Sequence, residues 1–355
     1  MNITVIGGGN IGTLMAADCA KAGHRVTQYA STVEGRSRHI EVFDASNQLA
    51  FSADLAAITS DLETAISEAD LIWVTYPVNA IGRLADRMLP FVQKEQMIGV
   101  APGAFAEFFF ARHVEKGCVL FGLQRVHSIA RNKERGKSVY ELGRKPELQV
   151  AAIPSKETMR VSQLVQDLLK APVTPLPNYL VETLTPSNPI LHTTRLRTML
   201  ADWKLGKSFD HNILFYEEWT DRSSRCLMAC DEEDQKLCEA LTSFDLTRVL
   251  PLSIYYESPT PEAMTKKISS IEAFKGLTSP LVEEEPGKWV PDFSHRYFKA
   301  DFAYGLACIQ KIARIVGVET PNIDEVIDWY VSVSGDLPDI GFVPNSKEEF
   351  LAIYK

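Results

Sequence analysis

Three glycines near the start of the chain, Gly7, Gly9 and Gly12, spell G-x-G-x-x-G between the apolar run NITVIG and the helically spaced stretch Ile11 to Ala22. Each has a physical task in that setting: Gly7 allows a tight turn, Gly9 lets backbone approach a pyrophosphate, and Gly12 lets the helix pack close to the strand. The first-turn N–H groups, including those of Asn10 and Ile11, would then face negative phosphate oxygens at the positive end of the helix. The motif predicts a dinucleotide site; a merely tight turn is the alternative. The next run, HRVTQYA, ends at Gln28, Tyr29 and Ala30 with no carboxylate where NAD would need one for its ribose hydroxyls. Ser31, Thr32 and Arg36 could instead hold the extra phosphate of NADP, whereas Glu34 turned inward would serve a ribose. NADP is the expected cofactor, with NAD the alternative, and Tyr76 and Pro77 at the end of LIWVTYP are expected to line the same site.

A hydride transferred to a carbonyl or imine needs an accompanying proton, usually managed by a His or Lys beside the reacting atom. His192 stands in SNPILHTTRL, and HRYFKADFAYGL further on carries Arg296 and Asp301 at the entrance to a predicted helix. A buried Asp can fix an imidazole's tautomer and raise its pKa, and an Arg can grip a carboxylate with two parallel hydrogen bonds. The competing reading makes Asp301 an ordinary first-turn acid and Arg296 a surface cation. His127, His211 and His295 lie in other contexts.

The elements that must position these groups follow from periodicity. Strand, turn, helix and strand succeed one another from residue 2 to 30, and the alternation continues with helices over 61–69 and 80–91 and buried strands over 71–77 and 97–102. Less regular strands are expected over 118–122, 147–153 and 173–176, with a helix between Lys156 and Leu169. Alternation of this kind predicts an α/β fold, a doubly wound parallel sheet of Rossmann type. After Val181 amphipathic stretches dominate (189–204, 231–250, 261–275, 300–316 and 322–334) and strands essentially disappear. The reading is therefore a dinucleotide-binding domain over 1–182 and an all-helical C-terminal domain over 183–355.

At 355 residues, 45% hydrophobic and 23% charged, the chain is not fibrous or disordered, and no stretch is long and apolar enough to span a membrane. A β-run beginning almost at Met1 leaves no room for a signal peptide, which points to the cytoplasm and to reduced thiols for the six cysteines. Cys226, Cys230 and Cys238 lack a nearby His and read as positions on a buried helix face, so no metal is expected. The net charge of −9 falls in the second half, where nucleic acid or an anionic membrane would be a poor partner. Arg125 to Lys145 is the local exception, rich in Lys and Arg; it reads as a solvated loop or, alternatively, as a wall facing an anion. A homodimer is compatible with a helical domain of this kind.

The chain resembles the octopine/nopaline, or opine, dehydrogenases along nearly its whole length, through MNITVIGGGNIG, NPILHTTRL, FYEEWT with the later Asp231, and SHRYFKADFAYGL. The resemblance implies a helical domain like that of 6-phosphogluconate dehydrogenase. It also implies a reaction in which an α-keto acid is reductively condensed with the amino group of an amino acid, using NAD(P)H. His192 would be the proton relay, Asp301 its carboxylate partner and Arg296 the clamp for the keto acid's carboxylate. One departure is the stretch Leu123, Gln124, Arg125, HSIAR, in which only Arg131 matches the family's pattern well. The rival readings are a ketopantoate-type or other 2-keto-acid reductase, and a non-catalytic NADP-binding sensor. A ketopantoate reductase would normally carry a catalytic Lys where this chain has Asn188 to His192.

Overall fold

The computed structural model describes residues 1–185, 187–335 and 337–354. The chain divides into two compact units, one of Met1–Thr183 with the tail from Glu348, the other Leu184–Lys347. The tail therefore returns to the first unit, which a single boundary near 182 does not describe.

Among the described residues the first unit holds strands β1 (Asn2–Ile6), β2 (Arg25–Tyr29), β3 (His39–Phe43), β4 (Leu49–Asp54), β5 (Ala57–Thr59), β6 (Leu71–Val74), β7 (Met97–Val100), β8 (Val119–Leu123), β9 (Ser128–Glu134), β10 (Ser138–Arg144), β11 (Leu148–Ile153) and β12 (Val173–Pro175). Eight of them form the main sheet in the order β12-β11-β8-β7-β6-β1-β2-β5. Neighbours run parallel except β8 and β11, which are antiparallel. LIWV of β6 and MIGV of β7 are buried at every residue, as a sheet covered on both faces requires. The chain leaves β1 for β2 on one side and later returns to β6 on the other, so the switch point lies where Gly7 follows β1 and Thr75 follows β6. The Thr75 hydroxyl donates to the Ile6 carbonyl at 3.1 Å and ties the two strand ends together.

A second sheet, β4-β3-β10-β9, is the main departure from expectation. The basic stretch Arg125–Lys145 is not a loop; most of it is the hairpin β9–β10, whose inward residues Ala130 and Val139 are almost wholly buried. Those residues, with Ile40, Val42 and Ala53, share one apolar core with Leu14, Met15 and Ala17 of the helix Asn10–Lys21. That helix is covered from both sides, and Gly12 through Cys19 are all buried. Asp18 in its midst is only 6% exposed and accepts two hydrogen bonds from Arg144 of β10, at 2.8 and 2.9 Å. A charge-assisted pair of this kind, with Nη2 shared between both carboxylate oxygens, offsets the cost of a buried carboxylate and fixes the hairpin's register on the helix.

The second unit is built from the helices Ser187–Met199, Asp221–Ala240, Pro261–Ser270, Ala307–Val316 and Pro321–Ser334, with shorter turns between them. The long helix starts at Asp221, ahead of the expected 231, because Thr220 caps it: its hydroxyl accepts the Ser223 N–H at 3.2 Å. Cys226, Cys230 and Cys238 lie on this helix, with Cys230 buried and the other two half-buried. The unit also contains a hairpin, β13 (Leu281–Glu285) and β14 (Lys288–Pro291), in a run whose exposed glutamates hide its alternation. No helix among the described residues is long and apolar enough to cross a membrane.

The returning tail is held by polar as well as apolar contacts. Phe350 packs on Phe108 at a centroid distance of 6.3 Å, and the Tyr354 hydroxyl donates to Glu107 at 2.7 Å. The Thr183 hydroxyl donates to the same carboxyl oxygen at 2.5 Å. Glu107 is wholly buried, and burial raises its pKa to about 7; Glu182, equally buried, is raised for the same reason. An acid whose pKa is higher folded than unfolded binds more protons in the native state, so its contribution to stability falls as pH rises from about 4.5 to about 7. The full effect is about 3 kcal/mol, since each pKa unit corresponds to about 1.4 kcal/mol. Glu107→Gln should remove that fall. Comparing denaturant stability of variant and wild type across this window isolates the effect, because His113, lowered by burial to about 4, acts with opposite sign in both proteins.

Candidate active site

In the second unit, His192 sits one turn into the helix Ser187–Met199 and is 3% exposed. Its Nδ1 lies 2.8 Å from Asp301 Oδ2 and its Nε2 lies 2.9 Å from the Tyr216 hydroxyl. An imidazole that donates Nδ1–H to a carboxylate presents Nε2 as an acceptor, and Tyr216 then donates to it. Once Nε2 is protonated the direction reverses, and the neighbouring carboxylate stabilises the resulting imidazolium. The Tyr297 ring stacks on the imidazole at 4.0 Å with 26° between planes, and Phe215 meets it edge-on at 5.7 Å. The ring therefore has little freedom to turn.

Local structure explains how residues so far apart in sequence meet. Asp301 precedes a π-helical turn, Phe302–Leu306, within which Gly305 faces Pro189 of the His192 helix. A Cβ at Gly305 would come within 2.6 Å of the proline ring, so the two segments approach more closely than any other residue there allows. Arg195, one turn after His192, is buried and holds the opposite wall. Its guanidinium donates to the carbonyls of Phe215 at 3.0 Å and Glu218 at 2.7 Å and to the Ser223 hydroxyl at 3.3 Å. Those bonds fix the FYEEWT segment and hence Tyr216, whose phenol is pushed up chiefly by burial and stays protonated.

Arg296 is exposed and lies over the Tyr297 ring at 4.9 Å. Among the described residues it has no carboxylate partner, which leaves its guanidinium available to a substrate anion. The other histidines are elsewhere engaged. His211 is exposed beside Asp210 at 2.7 Å, His127 is buried in the first unit 3.3 Å from Asp18, and the His295 ring accepts the Tyr297 N–H at 3.2 Å. Asp231 accepts the Leu252 N–H at 2.8 Å, a structural bond. Sequence reasoning missed Tyr216 and Arg195; both lie in the motifs FYEEWT and NPILHTTRL, but nothing in their spacing marks them as partners of His192.

In the first unit the glycine loop has the shape a dinucleotide needs. A Cβ on Gly12 would meet the Gly7 carbonyl oxygen at 2.2 Å, and one on Gly7, at φ 138°, would meet Thr75 Oγ1 at the same distance. A Cβ on Gly9 would meet nothing within 4 Å, so the outer side of the loop is open. No side chain caps the helix Asn10–Lys21, leaving its first N–H groups to a ligand. Asn10 contributes backbone only, since its side-chain oxygen accepts the Asn132 N–H at 2.9 Å; Ile11 packs against the core and likewise offers only its N–H. Ser31 and Thr32 are exposed just past β2, while Arg36 reaches back to donate to the Thr32 carbonyl at 2.7 Å and the Gly8 carbonyl at 3.1 Å. Tyr76 is half-buried and Pro77, exposed, begins the helix Val78–Met88. These residues fit a bound NAD(P).

Comparison with known proteins agrees with both halves. Residues 175–334 match the family described as NAD/NADP octopine/nopaline dehydrogenase, alpha-helical domain, and residues 2–110 match the NAD-dependent glycerol-3-phosphate dehydrogenase N-terminus. The opine dehydrogenase of Haliotis discus hannai is 30% identical over 298 residues, covering 79% of this chain and 73% of that protein. The chain belongs to the opine dehydrogenase family. The tauropine dehydrogenase of Arabella iricolor is 26% identical over 368 residues, covering 94% of this chain and 91% of its own. A solved structure of octopine dehydrogenase with NADH and L-arginine has the same fold, with a TM-score of 0.84 at 23% identity, covering all of this chain and 94% of that one. This family member is thus an NAD(P)-dependent oxidoreductase.

The contact between Gly305 and Pro189 is open to direct test. Gly305→Ala should lose about 1–3 kcal/mol of stability in denaturant titrations through overpacking. It should also lower turnover by displacing Asp301 from His192, while dinucleotide affinity, expected to reside in the glycine loop of the first unit, stays at the wild-type value.

Proposed function

We propose a division of labour by which this chain carries out its family's reaction, the NAD(P)H-dependent reductive condensation of an α-keto acid with the amino group of an amino acid. The glycine loop, the N-terminus of the helix Asn10–Lys21, Ser31, Thr32, Arg36, Tyr76 and Pro77 hold the dinucleotide, which supplies a hydride. The lack of a carboxylate at the end of β2 and the presence of Arg36 there favour NADP over NAD.

Arg296 pairs with the carboxylate of the keto acid, a role supported by its exposed guanidinium, which has no carboxylate partner among the described residues. Condensation of the keto group with the amine releases water and forms an imine. Reduction then adds a hydride to the imine carbon and a proton to nitrogen, giving a secondary amine. His192 manages the proton through Nε2 by way of the Tyr216 hydroxyl bonded to it, which passes one proton on as it takes the other, either as the carbinolamine loses water or as the nitrogen is protonated. Asp301 holds the imidazole in the required tautomer and stabilises its charged form. Tyr216, hydrogen bonded to Nε2, positions that nitrogen. The single observation that carries this reading is the hydrogen-bonded chain Asp301–His192–Tyr216, joined at 2.8 and 2.9 Å. The six cysteines, all free thiols, fit a reducing compartment, and we assign the protein to the cytoplasm.

Oxidation of NADPH or NADH by a panel of keto acids, with and without amino acids, tests the reaction: turnover that depends on the amine supports it, and turnover indifferent to the amine is the behaviour of a simple keto-acid reductase. His192→Ala should lower kcat by about 10²–10⁴-fold with cofactor affinity unchanged; near-native turnover in this variant refutes the role. Arg296→Gln should instead raise KM for the keto acid by about tenfold or more, with Arg296→Lys recovering part of the loss.

A further inference from the structure

The basic hairpin β9–β10 does more than cover the glycine-loop helix. Its turn, Arg135–Gly136–Lys137, is laid against the Arg36 side chain. Gly136 adopts φ +74°, and a Cβ there would stand 2.6 Å from Arg36 Cγ, so the turn rests directly on the arginine's stem. The Ser37 N–H donates to the Gly136 carbonyl at 2.9 Å, and the Asn132 N–H donates to Asn10 Oδ1 at 2.9 Å. The hairpin is thus fastened at one point to the segment after β2 and at another to the first residue of the phosphate-facing helix.

Two cationic residues belong to this junction, Arg36 and, next to Gly136 in the turn, Arg135. The Arg36 guanidinium lies on Gly8, whose ideal Cβ position is 2.3 Å from Nη2, and its Nη1 is buried without a hydrogen-bond partner. Arg135 is exposed at the turn and has no carboxylate partner among the described residues; the nearest acid in sequence, Glu134, is paired with Lys137 at 2.5 Å. Burial, and after it the charge of Arg135, lower the pKa of Arg36. A pair of unneutralised guanidinium groups beside a phosphate loop suits a dianionic phosphomonoester, which can accept hydrogen bonds from both.

We propose that Arg135, carried by the turn of the second sheet, closes with Arg36 on the 2′-phosphate of an adenosine ribose and thereby sets the preference for NADPH over NADH. This rests on reading the glycine loop as the dinucleotide site and goes beyond it, because Arg135 lies about a hundred residues along the chain from the end of β2, where such phosphates are ordinarily recognised. The pyrophosphate of the same dinucleotide is also an anion with phosphate oxygens, although it carries one charge per phosphorus, and the test separates the two.

Equilibrium binding, read from the fluorescence of NADPH and NADH and from competition by 2′,5′-ADP and 5′-ADP, provides that test without turnover. Wild type should bind NADPH at least tenfold more tightly than NADH. Arg135→Ala should weaken NADPH and 2′,5′-ADP by about tenfold to hundredfold, the range for a lost hydrogen bond to a charged group, and leave NADH and 5′-ADP within twofold. Arg135→Lys should retain part of the preference. Because Arg135 is exposed at a turn, the variants should keep wild-type NADH binding, which doubles as the folding control. Unchanged NADPH affinity in Arg135→Ala, a wild type that prefers NADH, or equal losses for NADPH and NADH overturn the 2′-phosphate assignment. Failure of wild type to bind either dinucleotide refutes the cofactor reading itself.

Discussion

An imidazole that is 3% exposed has no water to solvate a positive charge, so it can cycle between neutral and charged forms only if its surroundings supply the stabilisation. For His192 that supply is the Asp301 carboxylate at 2.8 Å, itself only partly buried, and every other feature of the helical unit's site serves this contact. Tyr297 stacks on the ring, Gly305 permits the close approach of the two segments, and Arg195 fixes the loop from which Tyr216 reaches Nε2. Loss of the carboxylate would leave the imidazole, still stacked on Tyr297, without a countercharge and without the partner that fixes its tautomer.

The first unit solves a different problem, that of concentrating positive potential without a buried charge. The bare N-terminus of the helix Asn10–Lys21 and the glycine contacts that press it onto β1 do so with backbone alone. The second sheet then makes that helix a central element rather than a surface one. Asp18 and Arg144 join the two layers by an ion pair with almost no solvent around the carboxylate, which makes slippage of the hairpin costly.

The alternation of buried strands and helices over the first hundred residues was legible because the strands LIWV and MIGV are apolar at every position and the glycine loop marks the first turn. His192, Asp301 and Arg296 were legible as residue types in two motifs. The second sheet was not, because strands such as SIARNKE and SVYELGR bury only one or two residues each and their outer faces carry the charge of a solvated segment. Tyr216 was equally hidden, since an aromatic residue in a loop has no periodicity to betray a tertiary partner. The hairpin of the second unit escaped for the first of these reasons, its four exposed residues after Leu281 outweighing the one that is buried.

The return of the tail to the first unit bears on how the chain matures. Residues 184–347 form one unit, whereas the first unit draws on Phe350 and Tyr354, which follow the whole of the second unit along the chain. In N-to-C-terminal synthesis the two aromatic residues that cover Phe108 and Glu107 therefore emerge after the helical unit, and the sheet unit gathers its last contacts later than its neighbour.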